Sequence, residues 1–245
     1  MEKLIFALWT PPAADQPRWH RQLLSEAPPA LRPLGVERLK ICVADIPAPE
    51  NDPYVDMKRG APAAYISFWL NSAAFWEHAD AVLADYAPTR AAYAVAESTI
   101  LPLTEKLDDN QPAPGVLQMA AFATQPQHTR AETLDIWLNA HSAVAVETQS
   151  TTTYTQNIVT RALSPNAPAW DAIVEETFPH AALADRHVYF ATGGDAAILA
   201  QHETRMAESC ARFIDFATLR LCMASEYRFG GWTDAAFGWH QHTTR

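Results

Sequence analysis

The sequence predicts an α+β protein made of two similar halves, each a layer of strands covered on one side by helices. Three observations predict it. Short alternating or β-branched runs recur between longer stretches with the 3.6-residue apolar period. The order of these segments is the same on either side of residue 102. Between the two sets, residues 102–114 hold three prolines around the charged stretch LTEKLDDNQ, the best linker in the chain.

In the first half, residues 4–9 (LIFALW) form an apolar, β-prone run stopped by Pro11 and Pro12, and are read as a strand. Asp15 is placed to cap the helix that follows, with Pro17 in its first turn and Trp19, Leu23 and Leu24 along it. That helix is expected to end near Pro28 and Pro29, which lack the N–H a helix interior needs. Residues 36–46 alternate Arg38, Lys40, Cys42 and Ala44 against Leu39, Ile41 and Val43, a second strand. A polar loop over 47–62 leads to a third strand at 65–70. Asn71 or Ser72 then caps a helix whose stripe is Phe75, Ala79, Val82 and Tyr86, and a fourth strand covers 93–101.

The second half repeats the order. Residues 116–124 are read as a strand and 129–147 as a helix with Leu134, Leu138, His141 and Ala145 on one face. A Thr-rich strand follows at 150–163. Residues 165–186 are read as an irregular insertion with a short helix at 170–176, then a strand at 187–191, a helix at 195–212 carrying Leu199, Met206 and Cys210 inward, and a last strand at 213–225. Each half is therefore βαββαβ, the ferredoxin-like arrangement. One such unit leaves the far face of its sheet bare, and two of them packed sheet to sheet bury it. The expected division is 1–102 and 115–229 as the two repeats, 103–114 as linker and 230–245 as an aromatic tail.

Composition bounds the function. The 245 residues, 49% hydrophobic, suffice for a full core. A net charge of −10, from 28 acidic and 18 basic residues without a basic cluster, disfavours nucleic acid and anionic membranes as partners. No apolar stretch approaches the ~20 residues of a membrane span, and the N-terminal apolar run is too short for a signal peptide. Three scattered cysteines, Cys42, Cys210 and Cys222, fit a reducing compartment, so a cytoplasmic location is expected. Neither a phosphate-binding glycine loop nor a metal-ligand spacing is present, and no cofactor or metal is expected. His240 and His242 in the tail are too loosely placed to count as a metal pair.

The second half carries a resemblance. Trp137-Leu-Asn-Ala-His141 on a helix, Tyr154-Thr-Gln-Asn157 on the next strand, and Phe213-Ile-Asp215 entering the last strand follow one another as in EthD-domain proteins. Over residues 116–228 the chain thus resembles the dimeric α+β barrel superfamily. The first half matches only in the order of its elements, and Ser142-Ala-Val stands where those proteins commonly have a proline, so the helix is expected to run on. The resemblance implies a barrel of two ferredoxin-like repeats and a pocket for a small hydrophobic or aromatic substrate. Members of that superfamily often act without a cofactor as isomerases, cyclases, dehydratases, decarboxylases or monooxygenases, and others bind haem.

The residues that fit such chemistry are His141 as general acid or base, Tyr154 as proton donor, Trp137 as a stacking surface, and Asn157 and Arg220 as binders of a phenol or carboxylate. Tyr154 and Asn157 are three apart, so on a regular strand they face opposite sides and meet only across a bulge. Arg38 and Lys40 are further cations on a strand, and His78 and His202 sit off the apolar stripes of their helices. The expected activity is that of a cofactor-independent lyase or isomerase, with decarboxylation of a phenolic acid preferred and His141→Ala losing most of the rate. An oxygenase, haem-dependent or cofactor-free, and a non-catalytic carrier are the alternatives. The tail, with Trp232, Phe237 and Trp239 beyond Gly230 and Gly231, is expected to fold over the pocket as a lid or onto a second copy of the chain as a homodimer clasp.

Overall fold

The structure, a computed structural model, describes residues 1–47 and 55–234. Eight strands are present among them: β1 (Glu2–Leu8), β2 (Glu37–Val43), β3 (Ala64–Leu70), β4 (Arg90–Leu101), β5 (Val116–Phe122), β6 (Thr153–Ala162), β7 (Ala172–Phe178) and β8 (Arg220–Phe229). They close into one barrel in the order β1-β3-β2-β8-β5-β7-β6-β4, antiparallel at every pairing. Read around the barrel, the first four strands lie as β4-β1-β3-β2 and the last four as β8-β5-β7-β6. Two seams, β2–β8 and β4–β6, join these groups through backbone hydrogen bonds rather than by face packing alone.

Strand alternation sorts the side chains into layers. Ile5, Cys42, Tyr65, Tyr93, Met119, Val159, Ile173 and Cys222, one from each strand, meet in a single cluster that fills the barrel. Their outward neighbours on β1–β4 pack under α1 (Gln16–Leu31) and α3 (Trp76–Ala84), with Leu4, Phe6, Phe68, Trp19 and Leu23 at the centre. Outward residues of β5–β8 pack under α4 (Arg130–Leu134), α5 (Ser142–Thr148) and α7 (Ala196–Ala211). Gly115 sets the approach of β5 to β7: at φ +94° a Cβ there would lie 2.5 Å from the Phe178 carbonyl oxygen.

Several boundaries differ from the sequence reading for identifiable reasons. Helix α1 runs past Pro28 and Pro29 to Leu31, because the lost N–H groups fall in its last turn and Pro28 and Leu31 are buried against the core. Residues 170–176 are not helical; β7 occupies Ala172–Phe178, and all seven of its residues are buried. The strand expected at 187–191 is instead the short helix α6 (Arg186–Tyr189), because Asp185 caps it by accepting from the N–H groups of His187 and Val188. The last strand starts at Arg220, not 213, since residues 213–219 make the turn that Asp215 ties down through the Ala217 N–H and the Ala123 carbonyl. The helix expected over 129–147 is continuous, but Asp135–His141 is π-helical between α4 and α5. The β2–β3 connection carries a short helix, α2 (Val55–Lys58). No helix among the described residues is long and apolar enough to cross a membrane.

Candidate active site

A cavity of about 360 Å³ lies between the outer face of β5–β8 and the helices above it, a size typical of small-molecule sites. Its floor carries a row of three polar side chains. Glu176 on β7 is the register partner of Tyr154 on β6 and of Gln118 on β5, so the three stand side by side on one face. The matching pair of β1 and β3 is Leu4 and Phe68, again the third and fifth residues of two seven-residue strands. That pair belongs to a close-packed apolar cluster. The two groups of four strands thus differ where it matters for chemistry: one row is hydrocarbon, the other is polar and opens on a void.

Glu176 and its chain neighbour Glu175 point to opposite layers and are treated in opposite ways. Glu175 faces the barrel interior, where Lys40 contacts Oε2, Lys3 Nζ lies 3.3 Å from Oε1 and Asn157 Nδ2 donates to Oε1 at 2.9 Å. Burial pushes its carboxyl up, but the two ammonium groups outweigh this and hold it below the usual carboxylate range. Glu176 is 8% exposed and has no ion-pair or hydrogen-bond partner among the described residues. Burial alone pushes its carboxyl up to about 7. Near neutral pH it is present in both protonation states, the condition that favours proton transfer in either direction.

The wall opposite is aromatic. Trp137 stacks on Phe213 at 6.2 Å and meets Phe122 edge-on at 5.9 Å. His141 closes the π-helical segment, a device often found where a helix serves a site. Its Nδ1 lies 2.9 Å from Ser209 Oγ and its ring edge is on Phe213 at 4.9 Å. Burial, with a smaller push from the Arg212 charge, lowers the imidazole to about 4, so it is neutral at pH 7. Tyr154 is fully buried, and burial together with the Glu176 charge keeps its hydroxyl protonated well above the usual range. Gln149 donates to the Tyr189 hydroxyl at 2.9 Å on the far side.

Of the residues singled out in the sequence, Trp137, His141 and Tyr154 line this cavity and Asn157 and Arg220 do not. The β6–β7 register is unbroken from Thr153 to Ile158, so no bulge brings Asn157 round to the Tyr154 side. Asn157 sits in the barrel, accepting from Lys3 at 2.7 Å and donating to Glu175 and the Ile173 carbonyl. Arg220 donates to the carbonyls of Ala217 and Leu219 and serves its own turn. Lys40 is interior, and Arg38 is exposed, over the Trp69 ring at 5.9 Å. His202 is held by the Phe190 carbonyl, and His78 is exposed. Sequence reasoning missed Glu176 and Gln118. The signal was the Glu175-Glu176 pair inside the apolar run AIVEETF: on a strand, one of the two must face each layer.

Of the tail, residues 230–234 are described. Trp232 lies over the Arg228 guanidinium at 4.3 Å and Asp234 pairs with Arg228 at 3.1 Å, beside the seam strand β8, and neither lines the cavity. Phe237, Trp239, His240 and His242 are outside the described residues. Among the described residues no group of three or more His, Cys, Asp or Glu side chains is arranged to hold a metal ion.

No family model matches the chain, and no curated protein does. Solved structures do. An anthrone oxidase-like protein superposes with a TM-score of 0.55 at 12% identity, over 96% of this chain and 97% of that one. Candidate monooxygenases from Lactobacillus acidophilus NCFM and Fusobacterium nucleatum subsp. nucleatum superpose with TM-scores of 0.49, at 10% and 11% identity. They cover 96% of this chain, and 99% and 98% of their own lengths. At 12% identity the likeness to the anthrone oxidase-like protein is one of fold. The chain has a mixed α+β fold around an eight-stranded antiparallel barrel.

Proposed function

We propose that this chain is a cofactor-independent enzyme that moves a proton on a small, neutral aromatic or polyaromatic substrate. Glu176 carries the reading: it is a carboxyl without a partner among the described residues, balanced near neutrality, on the floor of a cavity with an aromatic wall. As carboxylate it takes a proton from an activated C–H or O–H, and as acid it returns one. The apolar wall keeps water away, so fixed dipoles and not solvent stabilise the charge that forms.

Proton transfer of this kind serves an isomerase or a lyase. Decarboxylation of a phenolic acid, preferred on sequence grounds, loses its anchor here. Arg220 is engaged with its own turn, and Arg186 at the cavity wall is tied to Glu203. A second substrate carboxylate would also have to sit beside Glu176. A neutral ring system suits this lining better. Within this proposal the chain is read as two ferredoxin-like repeats, 1–102 and 115–229, of which the second, EthD-like one bears the site; the strand order supports it.

A cofactor-free oxygenase is the second reading, favoured by the anthrone oxidase-like name of the protein it superposes on. A carbanion made by Glu176 could pass its electrons to dioxygen. One experiment separates the possibilities. Anthrone and simple naphthols are incubated with the protein in deuterated buffer, with proton exchange followed by NMR and oxygen uptake by electrode. Exchange without uptake supports the isomerase or lyase reading; exchange with uptake supports the oxygenase. Binding with neither makes the protein a carrier. Exchange that survives Glu176→Gln at the wild-type rate removes Glu176 from the chemistry.

A further inference from the structure

Tyr154 and Gln156 are next-but-one on β6 and share the face beneath the helices. Gln156 is fully buried, and its Nε2 donates to Tyr154 Oη at 2.8 Å and to Ser142 Oγ at 3.0 Å. The direction of these bonds is fixed from the far end. Ser142 Oγ lies 2.9 Å from the Leu138 carbonyl oxygen and 3.3 Å from that of Trp137. A carbonyl only accepts, so the one serine proton is spent there, and towards Gln156 the serine offers lone pairs. Gln156 must therefore present its NH₂ group, and the same NH₂ meets Tyr154. Its own Oε1 is left buried without a partner. The Gln156 N–H thereby engages a lone pair of the phenol oxygen. The O–H remains, with no acceptor among the described residues, on a side chain that lines the cavity.

We propose that Gln156 is a positioning residue that makes Tyr154 a one-way donor, so that the cavity takes its substrate through an acceptor oxygen on which negative charge develops. The substrate class is an aromatic ketone, or the keto tautomer of a phenol. This rests on Glu176 as the base. Tyr154 and Glu176 are one strand spacing apart, about 4.8 Å, which suits an oxygen over one and the acidic C–H over the other. In the step, the Glu176 carboxylate takes the proton and the C–H pair becomes a carbon–carbon π bond. The carbonyl π pair moves onto oxygen, and the enolate oxygen is held by the Tyr154 O–H, which keeps its own proton. Return of the proton from Glu176 to oxygen or to another carbon completes an isomerisation with no net change in electrons.

The test uses 4-nitrophenol as probe in the Glu176→Gln protein, where no carboxylate on the cavity floor opposes an anion. Binding is followed by absorbance between pH 5 and 9, giving separate affinities for phenol and phenolate. Preference for phenolate is expected, falling roughly 10- to 100-fold with Tyr154→Phe, the scale of one hydrogen bond to a charged oxygen. Gln156→Leu should lower the same ratio about tenfold or more, because the tyrosine hydroxyl is then free to turn away. A residue that merely held the fold would weaken both forms alike and leave the ratio unchanged. Should Gln156→Leu fail to fold, Ser142→Ala takes its place, since it frees the amide to flip. Equal binding of phenol and phenolate, or a ratio unaffected by the folded Gln156 or Ser142 variant, overturns the proposal. Phenolate preference without proton exchange on any ketone leaves this donor arrangement standing and rejects the enzymatic reading instead.

Discussion

Replacing Glu176 by glutamine should stabilise the protein, and by an amount that depends on pH. The carboxyl is raised by burial from 4.5 to about 7. Between these values the folded state binds the proton and the unfolded state does not. Stability from this group is therefore fully present below about pH 4.5 and is lost as pH rises through 7. A rise of that size corresponds to about 3 kcal/mol of destabilisation once the carboxyl is ionised in the fold. Glutamine keeps the shape without the charge. At pH 8 the variant should melt roughly 6–12 °C above wild type, taking ~2–4 °C per kcal/mol for a chain of this length, whereas at pH 4 the two should melt together. Scanning calorimetry of both proteins across pH 4–8 measures the difference directly, and the other titrating groups largely cancel in it. A difference that is flat with pH, or a variant less stable at pH 8, would refute the claim that Glu176 is buried without a partner. Proton exchange should be lost in the same variant by ~10²–10⁴-fold, the usual contribution of a general base.

Removing the other carboxyl should do the reverse. Glu175→Gln leaves Lys40 without its ion-pair partner in the barrel, while Lys3 keeps Glu97 at 2.5 Å, and should cost about 3–5 kcal/mol in urea unfolding; a smaller loss would mean that the Lys40 ammonium is compensated elsewhere. His141, lowered to about 4, contributes stability that is present above pH 6.5 and lost as pH falls through 4. His141→Leu should flatten that acid limb, and its effect on proton exchange should be smaller than that of Glu176→Gln, because a neutral imidazole held by Ser209 is poorly matched to the task. A larger rate loss in His141→Leu would return the histidine to the role first assigned to it. The purified protein should be colourless, and a Soret band in its visible spectrum would install the haem reading in place of this one.

The amphipathic elements were legible in the sequence because their two faces differ. In β1, β2 and β3 the outward residues are large and apolar while the inward ones include Lys3, Lys40 and Ser67, so alternation shows. The third strand of the second half was hidden because β7 is buried on both faces and has no polar side to mark its period. Its Glu175-Glu176 pair then looked like part of a helix, the conformation glutamate favours in isolation. The aromatic and β-branched run HVYF looked like a strand, but the Asp185 cap decided for a helix. The same blind spot governed the site. Trp137, His141 and Tyr154 were found because they stand in recognisable surroundings. Glu176 was missed because nothing local distinguishes a carboxyl with two lysines across the barrel from one with none. Asn157 was misplaced because a strand's register cannot be read until its partners are known.

Closure of the barrel has a thermodynamic consequence for any ligand of the cavity. Tyr154 is not only a cavity residue; its backbone is the register partner of Leu101 at one end of the β4–β6 seam. At the other seam β8, which contributes Leu221 to the cavity, is hydrogen-bonded to β2 from Leu39 to Val43. Neither group of strands can open without tearing a ladder shared with the other. Ligand binding raises the free energy of opening by RT ln(1 + [L]/Kd), and here that increment should spread to strands that never touch the ligand. Amide hydrogen exchange on β1 and β3, across the barrel from the site, should slow in proportion to occupancy. The solid side of the molecule would thus report what the hollow side has bound.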